Sequence, residues 1–145
     1  MKNILVINGV NMNMLGVREP EIYGSATLAD LEAQIERKAK ELGCEVTCVQ
    51  SNYEGEICEK IQQAYGIYDG IIINPAAFTH YSYAIRDALG SVKIPAVEVH
   101  ISNVHKREAF RDHSVIVPEC MGQVCGLGFK GYEYAMEALC DAVKD

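Results

Sequence analysis

Three histidines, one tyrosine and three arginines in this chain are candidates for proton-transfer chemistry on a small anionic molecule. They are His80, His100 and His105, then Tyr23, and Arg18, Arg107 and Arg111. Amides and hydroxyls are interleaved with them: Asn8, Asn11, Asn74, Thr79, Ser102 and Asn103. Imidazole titrates near ~6.5, so it loads and unloads a proton at neutral pH more easily than other side chains. Guanidinium groups keep their charge at any physiological pH and suit an anion. No cluster of acidic metal ligands accompanies these residues.

Their positions make sense only if certain elements hold them. Five short apolar runs, at residues 4–7, 46–49, 70–73, 96–99 and 115–117, alternate with helical patterns. They are rich in Val and Ile and mostly continuous, as strands buried on both faces of a parallel sheet read. Leu28, Leu31, Ile35, Ala39 and Leu42 share one face of a first helix, with Thr27 and Asp30 as a capping-box-like pair and Gly43 as the stop. Further helices are expected over 56–64, over 81–89 with Gly90 as terminator, and along the stripe Tyr132, Ala135, Met136, Leu139 and Val143. A shorter one is expected within 104–112. Strand–helix alternation with right-handed crossovers predicts an α/β fold: one flavodoxin-like domain over residues 1–145, a doubly wound five-stranded parallel sheet of order 2-1-3-4-5 between two helical layers. In such a sheet, ligands bind beyond the carboxyl ends of the strands. The candidate residues cluster there. One segment, residues 9–26, is long for a connection between a strand and a helix. Such loops are often functional, and its glycines and proline fit a hinged, partly mobile lid.

Missing motifs remove other uses of this scaffold. A flavin site needs a hydroxyl- and Gly-rich loop after the first strand, where the chain reads Asn-Gly-Val-Asn-Met-Asn. A phospho-receiver needs acidic residues where Asn8 and Asn74 stand. There is no G-x-G-x-x-G, no Walker A sequence and no Gly-x-Ser-x-Gly elbow. The net charge of −7 argues against non-specific nucleic-acid binding but not against a local anion site. No run approaches a membrane span, and Met-Lys-Asn leads straight into the first strand without a signal-peptide pattern. The expected location is the cytoplasm, with no membrane partner. The six cysteines form no Cys-x-x-Cys and no zinc spacing, and are read as core packing.

Three segments together resemble a known family. The stretch from Asn8 to Gly24, with Arg-Glu-Pro and Tyr-Gly, is similar to the first active-site loop of type II 3-dehydroquinate dehydratases. Asn74-Pro-Ala-Ala-Phe-Thr-His80 resembles the second signature. Glu98-Val-His-Ile-Ser-Asn-Val-His105, with Arg107, Glu108, Phe110 and Arg111, resembles the third. The intervals fit, and the resemblance spans essentially the whole chain. Val10 stands where Pro is usual, Met12 and Met14 where Leu is common, Phe78 where Tyr is common, and Tyr81 where a small residue is usual. None of these positions carries an assigned role.

The resemblance implies a cofactor-independent and metal-free dehydration of 3-dehydroquinate through an enolate, in the shikimate pathway or in quinate catabolism. Tyr23 is then the base. Free tyrosine titrates near ~10, so a cation must favour its phenolate, and Arg18 is the candidate. His100 is the general acid, with Glu98 on the same side of the strand to orient it. Asn11 serves the enolate oxygen, directly or through a water. Ile101 and Ser102 bind the substrate carboxylate, while Asn74, His80 and Arg111 bind ring hydroxyls. Asp87 reaches a neighbouring subunit's site in a homododecamer built from trimers. His105 and His113 are read as structural. The other dehydratase class uses a Schiff-base lysine in a barrel of about 250 residues, too long for this chain; Lys106, the one lysine in the signatures, is expected to point outward. Two other readings stay open: a different lyase or isomerase on the same scaffold, and a ligand-binding homologue without catalysis.

Overall fold

The structure, a computed structural model, describes residues 1–143. Five strands, β1 (Asn3–Asn8), β2 (Glu45–Gln50), β3 (Gly70–Asn74), β4 (Ala96–His100) and β5 (Gly122–Cys125), form one sheet in the order β2-β1-β3-β4-β5. Every neighbouring pair is parallel. This is the expected flavodoxin-like order.

Alternation along the strands divides the core in two. Ile4 and Val6 of β1, Ile72 of β3, and Val97 and Val99 of β4 point to one face. There they meet Leu31 and Ile35 of α2 (Leu28–Leu42) and Tyr132, Met136 and Leu139 of α5 (Lys130–Ala142). Leu5, Ile7, Ile71 and Ile73 point to the other face. They pack on Ile57 and Ile61 of α3 (Glu54–Gln63) and on Ile85 and Leu89 of α4 (Tyr83–Val92). Each such side chain contributes about 1.5–3 kcal/mol by leaving water. Because β1, β3 and β4 are covered on both faces, their sequences run mostly apolar, with Glu98 the one charge inside β4.

Local chemistry sets the helix ends. Thr27 Oγ1 accepts from the Asp30 amide, the Asp30 carboxylate accepts from the Thr27 amide, and Gly43 closes α2 at φ 71°. The expected helix over 56–64 begins earlier, at Glu54, and the one over 81–89 lies over 83–92 with Ser82 capping the Ile85 amide. Gly90 does not stop α4. It sits inside the helix, with the Glu119 carboxylate 3.1 Å from where a Cβ would project. The stop is Lys93, in the left-handed region at φ 55°. Val143 falls just beyond α5 instead of on its stripe.

Two expected elements also fail. Residues 115–117 are not the fifth strand. Val115 and Ile116 are buried, but Ser114 Oγ accepts from the amides of Ile116 and Val117 and folds the chain into a 3-10 turn, Val117–Glu119. The strand is Gly122–Cys125, whose mixed pattern suits an edge position. Nor does 104–112 form one helix: it makes two 3-10 turns, Val104–Lys106 and Ala109–Asp112. Residues 9–26 carry a 3-10 turn, Met12–Met14, and the short helix α1 (Pro20–Tyr23), and buried Met12 and Leu15 anchor the segment to the core.

The end of β1 is locked against the end of β3. The Gly9 amide donates to the Asn74 carbonyl at 2.7 Å, and a Cβ on Gly9 would lie 2.4 Å from the Pro75 carbonyl oxygen. Only glycine fits without moving backbone. Gly9→Ala is therefore expected to lower stability by about 1–3 kcal/mol, the range for an overpacked site. Urea unfolding measures this, and an unchanged midpoint would show that the two strand ends are free to separate.

Candidate active site

Asn8, Asn74 and His100 are the last residues of β1, β3 and β4, so the sheet sets three polar groups side by side. Beneath them lies a fully buried hydroxyl. Tyr132 Oη donates to Asn8 Oδ1 at 2.6 Å and accepts from Asn74 Nδ2 at 2.9 Å. Burial pushes this phenol well above its usual range, so it remains a neutral donor. Asn74 Oδ1 in turn accepts from the Ala76 amide at 3.0 Å and holds Ala76 at φ 56°. That left-handed conformation starts the turn that carries Thr79 and His80.

Above this floor is a cleft partly open to solvent. Nine of the expected site residues line it: Asn11, Arg18, Tyr23, Asn74, His80, His100, Ile101, Ser102 and Arg111. Met12, Leu15 and Val104 add apolar wall. Glu98 lies behind His100. Asp87 is not among the lining residues; it stands exposed in the middle of α4. Lys106 is exposed, as expected; His105, read as structural, is exposed as well, and His113 contributes only its carbonyl.

Glu98 is buried with no solvent exposure. Its Oε2 accepts from His100 Nε2 at 2.5 Å, Thr79 Oγ1 at 2.8 Å and Gln123 Nε2 at 2.9 Å; its Oε1 accepts from Ser114 Oγ at 2.8 Å. Burial alone raises the carboxyl's pKa, but the His100 hydrogen bond and charge, with the Thr79 and Ser114 hydroxyls, hold it below the ordinary carboxylate value. A carboxylate only accepts, so His100 Nε2 carries the hydrogen and Nδ1 is the nitrogen left for a ligand. His80 is fixed the other way: its Nδ1 donates to the His113 carbonyl at 2.8 Å, which leaves Nε2. The Phe110 ring meets His80 edge-on and lies under the Arg111 guanidinium, which also pairs with Glu108.

Tyr23 ends α1, with Gly24 at φ 79° turning the chain away. Its Oη accepts from Arg107 Nη1 at 2.5 Å. The guanidiniums of Arg18 and Arg107 lie 5.2 and 5.4 Å from the ring centre. Arg107 also reaches Ser102 Oγ at 3.3 Å and Glu19 at 3.1 Å. The cation at the tyrosine oxygen is thus Arg107, which had been assigned no role, while Arg18 meets only the ring. No spacing could reveal this contact, because 84 residues separate Tyr23 from Arg107. Thr79, Ser114 and Gln123 were likewise missed as the cradle of Glu98; each reads in sequence as an ordinary polar residue.

The cleft therefore offers a phenol beside cations, an oriented imidazole, three arginines and backbone amides at a strand end. Residues 2–140 match the family described as dehydroquinase class II. Over 145 residues the chain is 54% identical to the 3-dehydroquinate dehydratases of Bacillus cereus (strain AH187) and Bacillus anthracis (strain CDC 684 / NRRL 3495), covering 100% of this chain and 99% of each relative. The crystal structure of the type II dehydroquinase from Butyrivibrio crossotus DSM 2876 superposes with a TM-score of 0.93 at 55% identity, covering 95% of this chain and 97% of that one. The type II dehydroquinase from Propionibacterium acnes gives 0.93 at 45% identity, with 97% of each chain covered. With fold, signatures and full-length relatives in agreement, the chain belongs to the type II dehydroquinase family of hydro-lyases.

Proposed function

We propose that the cleft binds 3-dehydroquinate and dehydrates it to 3-dehydroshikimate through an enolate, using side chains alone. The observation that carries this reading is Tyr23 Oη held by Arg107 in the same cleft as His100, whose far nitrogen is held by Glu98. The names of the Bacillus relatives support the substrate.

Tyr23, as phenolate, takes the proton from the carbon beside the ketone. Arg107 at its oxygen and Arg18 over its ring stabilise the negative charge. Asn11 serves the enolate oxygen, directly or through a water. It sits at φ 69° with its backbone N–H donating to Asn52 Oδ1, which holds its backbone in the left-handed region. His100 then donates from Nδ1 to the departing hydroxyl, which leaves as water, and the proton on Tyr23 returns to His100 through solvent. The amides of Ile101 and Ser102, with the Ser102 hydroxyl, bind the carboxylate. His80 Nε2 and Arg111 take ring hydroxyls. Asn74 contributes mainly by shape, because its amide is already committed to Tyr132, Met12 and Ala76. Asp87 completes the cleft of a neighbouring subunit in a homododecamer. The reading places the reaction in the cytoplasm, in shikimate biosynthesis or quinate catabolism. A ligand binder without catalysis would have no use for an arginine on a tyrosine oxygen.

Mixing the protein with 3-dehydroquinate and a chelator, and following ultraviolet absorbance of the conjugated enone, tests the reaction. Chelator-resistant product formation is expected; tight binding without product would leave the binder. Tyr23→Phe should lower kcat by about 10²–10⁴, the usual range for a lost acid–base group, with KM changing far less. Arg107→Gln should lower kcat by about 10²-fold while Arg18→Gln costs less. Equal losses for the two arginines would refute the assignment of Arg107 to the phenolate oxygen.

The Glu98 cradle sets a pH dependence. A carboxyl held below its unfolded value adds stability above about pH 4.3, and this is lost as pH falls through the lower folded value. Glu98→Gln removes the charge and turns one acceptor into a donor facing groups that already donate. Its Tm should lie several degrees below that of the parent protein at neutral pH, and the gap should narrow below about pH 4.3. A gap that stays constant across the acid range would mean that Glu98 is not held as a carboxylate.

A further inference from the structure

The six cysteines are not equivalent. Cys44 Sγ lies 2.8 Å from Cys140 Sγ, across 96 residues of sequence, and both are free thiols. Cys44 follows the Gly43 cap of α2 and immediately precedes β2; Cys140 lies in the last turns of α5. The two helices cover the same face of the sheet, and their packing brings the sulfurs together. The backbone around them is anchored. The Cys44 amide donates to the Ala39 carbonyl at 2.9 Å, and Lys2 Nζ donates to the Cys140 carbonyl at 2.5 Å. Cys44 is buried and Cys140 only partly so, which makes Cys140 the more accessible residue of the two. Neither takes part in the proposed reaction. The pair lies where β1 and β2 begin, at the opposite end of the sheet from the cleft.

We propose that Cys44 and Cys140 form a reversible disulfide, a modification site that staples the end of α5 to the turn between α2 and β2. The oxidant class is a small disulfide such as oxidised glutathione. The Cys140 thiolate attacks one of its sulfurs, forming a mixed disulfide and expelling one thiol. Cys44 then attacks Cys140 Sγ and expels the second. Two protein thiols and one small disulfide become one protein disulfide and two small thiols, so electrons and protons balance.

The reaction is slow at neutral pH. Burial, with the hydrogen bond and charge of Cys44 and the charge of Asp141, pushes the Cys140 thiol up to about 12, against the opposing pull of Lys2. It accelerates in mildly alkaline solution, where the thiolate fraction grows. Closing so long a loop restricts the unfolded chain and so raises the melting temperature.

The test uses the full chain and does not depend on the substrate assigned above. The protein is incubated with excess oxidised glutathione at mildly alkaline pH. Free thiols are then alkylated, and the protein is digested without reduction and analysed by mass spectrometry. Two of the six thiols should escape alkylation, and the peptides holding Cys44 and Cys140 should appear as one cross-linked species, two hydrogens lighter than their sum. The Tm should rise by roughly 5–10 °C and fall back with dithiothreitol. In Cys140→Ser, all five remaining thiols should stay alkylatable. Six reactive thiols in the treated parent protein, glutathione retained on Cys140, or a cross-link elsewhere would each overturn the proposal.

Discussion

A carboxylate shut away from water is the constraint on which the carboxyl end of the sheet depends. An unpartnered buried charge costs several kcal/mol, so Glu98 is tolerable only while donors surround it. Those donors come from four places: His100 on its own strand, Thr79 in the turn after β3, Ser114 before the Val115–Ile116 segment, and Gln123 on β5. Satisfying one charge therefore fixes several connections at once. Val115 closes onto Thr79 through a backbone hydrogen bond of 2.8 Å, and β5 pairs so that Gln123 stands directly beside Glu98. His100, locked at one nitrogen, keeps the other in the cleft.

The opposite wall of the cleft is organised by positive charge. Arg107 bridges the segment after β4 to the segment after β1 by touching Tyr23, Ser102 and Glu19 together. It thereby ties α1 across the cleft without a covalent link. The backbone carries strain in the same region: Asn11, Glu19 and Ala76 all have positive φ without being glycine. Such conformations cost about 1–3 kcal/mol each and persist where neighbours over-determine them, as Asn52 and Asn74 do here. The polar groups of the cleft are therefore held in place by the protein's own hydrogen bonds.

The amino end of the sheet is chemically separate. Its thiols meet between α5 and the start of β2, and Lys2, just before β1, holds the Cys140 carbonyl; neither contact touches the cleft. Parallel strands make this separation possible, because every strand begins at one end and delivers its polar terminus at the other.

Mostly continuous apolar runs and patterns of period 3.6, with cap chemistry, were legible in the sequence, because they reflect burial of one segment at a time. Val/Ile-rich runs identified β1, β3 and β4, the Leu28–Leu42 stripe with Thr27 and Gly43 identified α2, and strand-end logic with the signatures pointed to nine candidate residues that line one cleft. What escaped depended on partners distant in the chain. Residues 115–117 are as apolar as a strand, yet Ser114 and the Glu98 cradle make them a buried turn, while the polar-looking Gly122–Cys125 pairs with β4 at the edge. Gly90 looked like a helix stop, but its lack of a side chain makes room for Glu119. Arg107 rather than Arg18 reached the tyrosine oxygen, and Cys44 met Cys140, because only the packing of α2, α5 and the loops beyond β1 and β4 brings those atoms within hydrogen-bonding distance. Local sequence determined which elements form; the tertiary structure alone decided which charges and sulfurs share a neighbourhood.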